Sequence, residues 1–129
     1  MPVPSSLPKR TVVILGASDR PGRHSGVLFH RLLGRPEFNV VPVHPTMKLL
    51  EGIRVEPGLA ALAPEPDLLT VYVNPDISRG LAEDFLRLRP KRVIFNPGSE
   101  NPELEAVLER NGITVENACS LILLSQNEF

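Results

Sequence analysis

Short apolar runs alternate with helical segments along almost the whole chain, and this alternation constrains the fold more than any other feature. The run Thr11–Leu15 is apolar and β-branched without polar alternation, as expected for a strand buried on both faces of a parallel sheet. Further strands are predicted at 39–43, 68–73, 92–95 and 113–116, with a minor strand at 53–55.

Helical segments separate the predicted strands. An amphipathic helix is predicted from about His24 to Gly34, because its apolar residues fall on one face. A second helix, capped by Asp76 or Ser78, is predicted to run to about residue 88. Further helices are predicted over about 101–111 and around 121–124, and a short helical turn is predicted at 58–62. Strands alternating with helices form right-handed βαβ units. The predicted fold class is therefore α/β, a single Rossmann-like three-layer domain with a mainly parallel sheet of about five strands. We expect one domain over 1–129, with 1–10 as a flexible or edge-lying arm.

Composition limits the classes of partner. The net charge of −1 disfavours a large basic face for nucleic acid, and no apolar run approaches the roughly 20 residues of a membrane span. The one cysteine, Cys119, excludes an intramolecular disulfide and fits a reducing compartment. The N-terminus has no apolar core of a signal peptide, so a cytoplasmic location is expected, with a protein partner or self-association left open.

The turn Gly16–Gly26, between the first strand and the first helix, indicates phosphate binding. Gly16 allows the chain to turn sharply, and the free N–H groups at the start of the helix attract anions. Ser18, Arg20 and Arg23 can add hydroxyl and charge-assisted bonds to phosphate. The alternative is an ordinary βα loop with solvated arginines. His24 is either a phosphate contact or a solvent-exposed residue at the start of the helix.

The segment after the second strand bears on which nucleotide is bound. An NAD enzyme usually has an acidic residue here for the ribose hydroxyls, but no carboxylate occurs between Pro42 and Glu51. His44 and Lys48 would not repel a ribose phosphate, which favours CoA or NADP. Lys48 is equally compatible with a solvated loop lysine.

Four segments, in order along the chain, carry a resemblance to a known family. They are Gly16–Ser18 with Arg23 and Ser25, then Pro42–Pro45, then Val71–Pro75, and finally Phe95–Gly98 followed by Glu116–Cys119. On these segments the chain resembles the stand-alone CoA-binding proteins, which are similar in fold to the N-terminal CoA-binding domain of the succinyl-CoA synthetase alpha subunit.

The resemblance implies a ligand, coenzyme A, and a role for each loop. It implies that the first turn holds the pyrophosphate and that the second loop flanks the adenosine, with Lys48 near its phosphate. The segment 72–75 would line the adenine or the start of pantetheine, and 96–98 would lie farther along the pantetheine arm. The predicted site comprises Gly16, Ala17, Ser18, Arg20, Arg23, His24, Ser25, Val43, His44, Pro45, Lys48, Tyr72, Val73, Asn74, Pro75, Asn96, Pro97 and Gly98.

The resemblance also implies a binder without catalytic activity, because the phosphorylated histidine of the synthetase lies in a second domain. No catalytic residue and no metal site are predicted. Two alternatives remain open: an NADP- or NAD-binding domain of an oxidoreductase, and a CoA-linked redox or regulatory protein. The second relies on Cys119, whose other interpretation is a buried small apolar residue.

Overall fold

The computed structural model describes residues 9–129 and contains a parallel sheet covered by helices on both faces. In chain order the strands are β1 (Arg10–Leu15), β2 (Phe38–Val43), β3 (Leu49–Leu50), β4 (Ile53–Arg54), β5 (Leu68–Val71), β6 (Arg92–Phe95) and β7 (Thr114–Asn117). The helices are α1 (His24–Leu33), α2 (Pro75–Ser78), α3 (Ala82–Leu88), α4 (Pro102–Arg110) and α5 (Ser120–Ser125), with 3-10 turns at Leu59–Ala61 and Arg79–Leu81.

The main sheet has five parallel strands in the order β2-β1-β5-β6-β7, and β3 and β4 form a separate antiparallel pair. From β1, the chain continues to β2 at one edge of the sheet. From β5, it continues through β6 to β7 at the opposite edge. The strand order therefore reverses beside β1, which is where open α/β sheets leave a crevice at the carboxyl ends of their strands.

Two apolar cores explain why β1 has no polar alternation. Val12 and Ile14 face a core formed with α1 and α5, whereas Val13 and Leu15 face a second core formed with α3 and α4. All four side chains are buried because both sheet faces are covered. The predicted α/β Rossmann-like class is confirmed.

Several boundaries differ from those predicted. β1 begins at Arg10, which pairs with Phe38, so Arg10 is part of the sheet and not of an arm. Of the rest of the predicted arm, Lys9 is exposed outside any strand, and 1–8 lie outside the described residues. β5 ends at Val71 instead of residue 73, because the pairing with β6 ends at Val71 and the chain then leaves the ladder. The predicted helix before 88 is divided into α2, a 3-10 turn and α3.

The remaining predicted elements lie close to where they were expected. The minor strand pairs as a hairpin, and the apolar run near the C-terminus forms α5. Asn101 caps α4 by accepting a hydrogen bond from the amide of Leu104. Over residues 9–129, no helix has the length and apolar character that crossing a membrane requires.

Candidate functional site

A cleft of about 910 Å³ opens at the carboxyl edge of the main sheet, beside the point where the strand order reverses. It is lined by the turn after β1, the loop after β2 and the segments after β5 and β6. Of the predicted site residues, those in its lining are Gly16, Ala17, Ser18, Arg20, Arg23, His24, Ser25, His44, Tyr72, Val73, Asn74 and Pro97.

The other predicted residues do not line the cleft. Pro45 and Lys48 are exposed in the loop after β2, Pro75 opens α2, and Gly98 is exposed at a φ of 94°. The two that remain, Val43 and Asn96, are buried.

The cleft also contains residues outside the predicted site set. They are Asp19, Gly22, Thr46, Met47 and Ile77. Ile77 is 53% exposed although it is a large apolar side chain. Thr46 and Met47 lie in the loop after β2, which the sequence predicts at the ligand edge of the sheet. Their position in that loop could have identified them as cleft residues. Nothing in the sequence pattern distinguished Ile77.

The turn after β1 is fixed to both neighbouring strand ends. The amides of Gly16 and Ala17 both donate to the carbonyl oxygen of Val43, at 3.1 and 3.0 Å. Gly16 has a φ of 96°, and a Cβ there would lie 3.2 Å from the carbonyl carbon of Tyr72. Val43 therefore contributes to the site through its backbone, from the end of β2.

The start of α1 faces this turn with unpartnered amide groups. Arg23 is the N-cap residue but makes no side-chain capping bond, and the first turn of α1 contains no acidic residue. The first amides of a helix without such a cap are available to an anion, and the helix dipole favours one there. The hydroxyl of Ser18 accepts a bond from the amide of Arg20, at 3.1 Å, which shapes the turn in front of the helix.

Two arginines of the turn are free to contact a ligand. Within residues 9–129, neither Arg20 nor Arg23 forms a salt bridge, whereas Arg35, Arg54 and Arg92 are each paired with a glutamate. Asp19 also lines the cleft, so the lining carries one carboxylate beside these cations. The arrangement can supply guanidinium groups and helix amides to the same anion.

The loop after β2 is shaped by the ring of His44. Its Nδ1 atom accepts hydrogen bonds from the amides of Thr46, at 3.2 Å, and Met47, at 3.0 Å. The amide of His44 donates to the carbonyl oxygen of Glu56, which ties this loop to the segment after β4. Lys48 is not part of the cleft lining, and its carbonyl oxygen accepts a hydrogen bond from the amide of Val55.

A buried polar network lies at the ends of β5 and β6. The amide nitrogen Nδ2 of Asn96 donates to the hydroxyl of Thr70 at 2.6 Å and to the carbonyl oxygen of Val71 at 2.8 Å. Oδ1 of Asn96 accepts from the amide of Ser120 at 2.8 Å, and the Thr70 and Ser120 hydroxyls are 2.7 Å apart. All these partners are protein groups, so Asn96 joins β5, β6 and α5.

Tyr72 follows β5, and its ring contributes to the cleft wall. Its hydroxyl is fully buried and has no hydrogen-bond partner among the described residues. Burial raises the pKa of Tyr72 to about 12. Cys119 is partly buried as the N-cap residue of α5, and it is not part of the cleft lining. The described residues contain no group of three or more His, Cys, Asp or Glu side chains placed to hold a metal ion.

The sheet order and its two helical layers define an α/β protein with a Rossmann-like fold and a cleft at the point where the strand order reverses. The profile of the CoA binding domain family matches residues 10–125, and the chain belongs to that family.

Several individual proteins are also similar to this chain. The uncharacterized protein YneT of Bacillus subtilis (strain 168) is 26% identical over 106 residues, which are 82% of this chain and 78% of the relative. An uncharacterized protein of solved structure is 34% identical, with a TM-score of 0.84 over 94% of this chain and 98% of its own. The dinucleotide forming acetyl-coenzyme A synthetase 1 of Ca. Korarchaeum cryptofilum is 22% identical, with a TM-score of 0.69. This last match covers 84% of our chain but 25% of the synthetase, and it shows the fold alone.

Proposed function

We propose that this chain is a non-catalytic binder of coenzyme A, with the ligand in the cleft at the carboxyl edge of the sheet. The observation that carries the proposal is the turn after β1. It directs the uncapped start of α1 and the unpaired Arg20 and Arg23 toward one place. Membership of the CoA binding domain family supports the choice of ligand.

The pyrophosphate fits best at this turn. The amides of His24 and Ser25 and the guanidinium groups of Arg20 and Arg23 supply donors of the kind that bind phosphate. The backbone bonds from Gly16 and Ala17 to β2 hold the turn in place before any ligand arrives, which lowers the entropic cost of binding.

The two ends of the ligand extend away from the turn in this proposal. The nucleoside lies against the loop after β2, where His44 and Met47 line the cleft. The pantetheine arm lies along Tyr72, Ile77 and Pro97. The exposed side chain of Ile77 supplies apolar surface that a flexible, largely uncharged arm would cover. The volume of about 910 Å³ is within the range of small-molecule sites.

Calorimetric titration of the full chain with CoA tests the proposal. NADP and NAD are titrated in parallel, because an oxidoreductase domain would bind one of these instead. We expect one CoA site per chain and weaker or no binding of the dinucleotides. Absence of CoA binding at millimolar concentration would overturn the proposal, and preferential binding of NADP would favour the oxidoreductase alternative. Incubation of the complex with no second protein, followed by mass analysis of the CoA, should return the ligand unchanged.

A further inference from the structure

A groove of about 510 Å³ lies between the turn after β1, helix α1 and the β3-β4 hairpin, and we call it the hairpin groove. Its lining shares Arg20 and Arg23 with the cleft. It also includes Val27 and Arg31 of α1 and Leu49 of β3, none of which lines the cleft. The turn after β1 therefore borders two separate depressions, and the proposed CoA site uses only one of them.

The hairpin presents apolar side chains to solvent at this groove. Leu49 is 64% exposed, and Ile53, which pairs with the buried Leu50 across the hairpin, is 37% exposed. Exposed apolar side chains beside charged groups are typical of surfaces that contact another protein. A small molecule inside the groove would leave the outer side of the hairpin in water, whereas a protein segment laid across the groove would cover it. The exposure of Leu49 therefore favours a protein partner.

The groove has more positive than negative side chains. In the described part of the chain, Arg31 forms no salt bridge, and the same is true of the two arginines of the turn. The lining has two carboxylates, Asp19 and Glu51, and Glu51 is bound by the ring of His30 at 2.9 Å, which ties the hairpin to α1. Three guanidinium groups against two carboxylates give the groove a net positive charge, although the whole chain has a net charge of −1. Charge complementarity therefore favours an acidic partner.

We propose that the hairpin groove docks an acidic segment of a partner protein, with one apolar side chain of the segment against Leu49 and its carboxylates on Arg31 and the arginines of the turn. Docking requires no ligand in the cleft. Its dependence on CoA rests on the proposed function, because CoA would place its phosphates near Arg20 and Arg23, which border both depressions. Two anions that share cations weaken each other's binding, so the partner binds the CoA-free protein more tightly.

Selection of random short peptides, displayed on phage, against the full chain tests the proposal. We expect the enriched peptides to carry several Asp or Glu residues around one large apolar residue. One such peptide is synthesised, and its Kd is measured by fluorescence anisotropy beside a matched peptide with Asn and Gln in place of its acidic residues. The acidic peptide should bind more tightly, and its affinity should fall as the ionic strength rises. Enrichment of basic or uncharged peptides, or of none, would overturn the proposal.

Substitutions on the two sides of the groove locate the bound peptide. Leu49→Ser should weaken peptide binding about tenfold, because it removes one apolar contact, and Arg31→Gln should weaken it roughly threefold, as expected for an exposed ion pair. The matched controls are Ile122→Ser, at an exposed apolar residue of α5, and Arg110→Gln, at the end of α4, because neither residue lines the groove. Equal losses in the controls would contradict docking at this groove.

Other occupants of the groove give different results. Sedimentation of the natural chain and of Leu49→Ser tests for a second copy, since a dimer that this substitution dissociates would place another copy in the groove and overturn the proposal. CoA binding by Leu49→Ser should equal that of the natural chain. A loss of CoA affinity as large as the loss of peptide affinity would make the groove part of the CoA site and also overturn the proposal. On the natural protein, NMR shifts caused by the peptide should include the amides of Arg31 and Leu49, and shifts confined to other surfaces would contradict the proposal.

Titration of the peptide with and without CoA tests the role of the shared arginines. We expect saturating CoA to weaken peptide binding roughly fivefold, and the peptide to weaken CoA binding by the same factor, because coupling between two binding sites is reciprocal. Peptide binding that is unchanged or tighter in the presence of CoA would overturn the proposed antagonism. If the peptide binds at the groove but CoA does not bind the natural chain, the proposed function fails while the docking site stands.

Discussion

Gly26 in α1 lies directly against the carbonyl oxygen of Ser18: a Cβ atom at Gly26 would be 3.0 Å from that oxygen. Contacts this short force one of the two groups to move, and here the obstacle is backbone. The helix and the turn in front of it can approach this closely because residue 26 has no side chain.

Gly26→Ala should weaken CoA binding without unfolding the protein. Alanine favours the helix by about 1 kcal/mol, which offsets part of the strain, but the added methyl group pushes the turn away from the start of α1. We expect the Kd for CoA to rise on the order of tenfold, with a small change in Tm. Gly80→Ala is the matched control, because a Cβ at Gly80 would meet nothing within 4 Å. An unchanged Kd in Gly26→Ala would argue against phosphate binding at this turn.

Arg23→Gln should reduce both the affinity for CoA and its dependence on salt. A charge-assisted hydrogen bond contributes about 1.5–3 kcal/mol, so the Kd should rise by roughly one to two orders of magnitude. Titrations at low and high ionic strength should give a shallower salt dependence for the variant than for the natural chain. Arg110→Gln, at the exposed end of α4, is the control for loss of one positive charge and should leave the Kd unchanged. Equal effects of the two substitutions would remove Arg23 from the site.

Asn96→Ala should destabilise the protein instead of only weakening ligand binding. It removes the partners of Thr70, Val71 and Ser120 in a buried network, where each unsatisfied group costs about 1–3 kcal/mol. We expect urea denaturation to show a loss of about 2–4 kcal/mol in the free energy of unfolding. Asn39→Ala is the control, because the exposed Asn39 side chain makes one long bond, of 3.4 Å, to Thr11. A stable Asn96→Ala protein with lost CoA affinity would instead indicate a direct ligand contact.

Tyr72→Phe should leave the free energy of unfolding at pH 7 unchanged or raise it by about 1 kcal/mol, because the buried hydroxyl it removes has no partner. The two proteins should diverge in alkali. Burial raises the pKa of Tyr72 in the folded protein to about 12, above the value of about 10 of an exposed tyrosine, so the unfolded chain ionises first. The natural protein should therefore lose stability relative to Tyr72→Phe as the pH rises from about 10 to about 12. Parallel alkaline denaturation curves for the two proteins would show that Tyr72 is not buried in solution.

The fold could be predicted from the sequence because its strands are covered on both faces. Thr11–Leu15 is uninterrupted by polar residues for that reason, and Gly16 marks the end of the strand. The position of the turn after β1 at the cleft was predictable because the turn directly follows that strand. Phosphate binding there stays a prediction. Strand ends were less predictable: Tyr72 and Val73 continue an apolar run, yet they leave the sheet to line the cleft.

The roles of single residues depended on contacts that no local pattern encodes. Asn96 stays a predicted ligand contact. Its partners Thr70 and Ser120 could not have been predicted, because they are distant in sequence and meet it only in the folded chain. Ile77 was missed because α2 had to be placed before its exposed face could be known. The two bonds to Nδ1 of His44 are local, but they follow from the backbone conformation of the loop and not from residue type.

The carbonyl oxygen of Val43 accepts two amides from the turn after β1, and the next residue, His44, begins the loop after β2. The two parts of the cleft that would hold opposite ends of a nucleotide thus meet at a single peptide group. A displacement of this peptide group would move both parts of the cleft together. In the proposed site, a substitution that shifts the end of β2 should therefore weaken the contacts to the pyrophosphate and to the nucleoside at once.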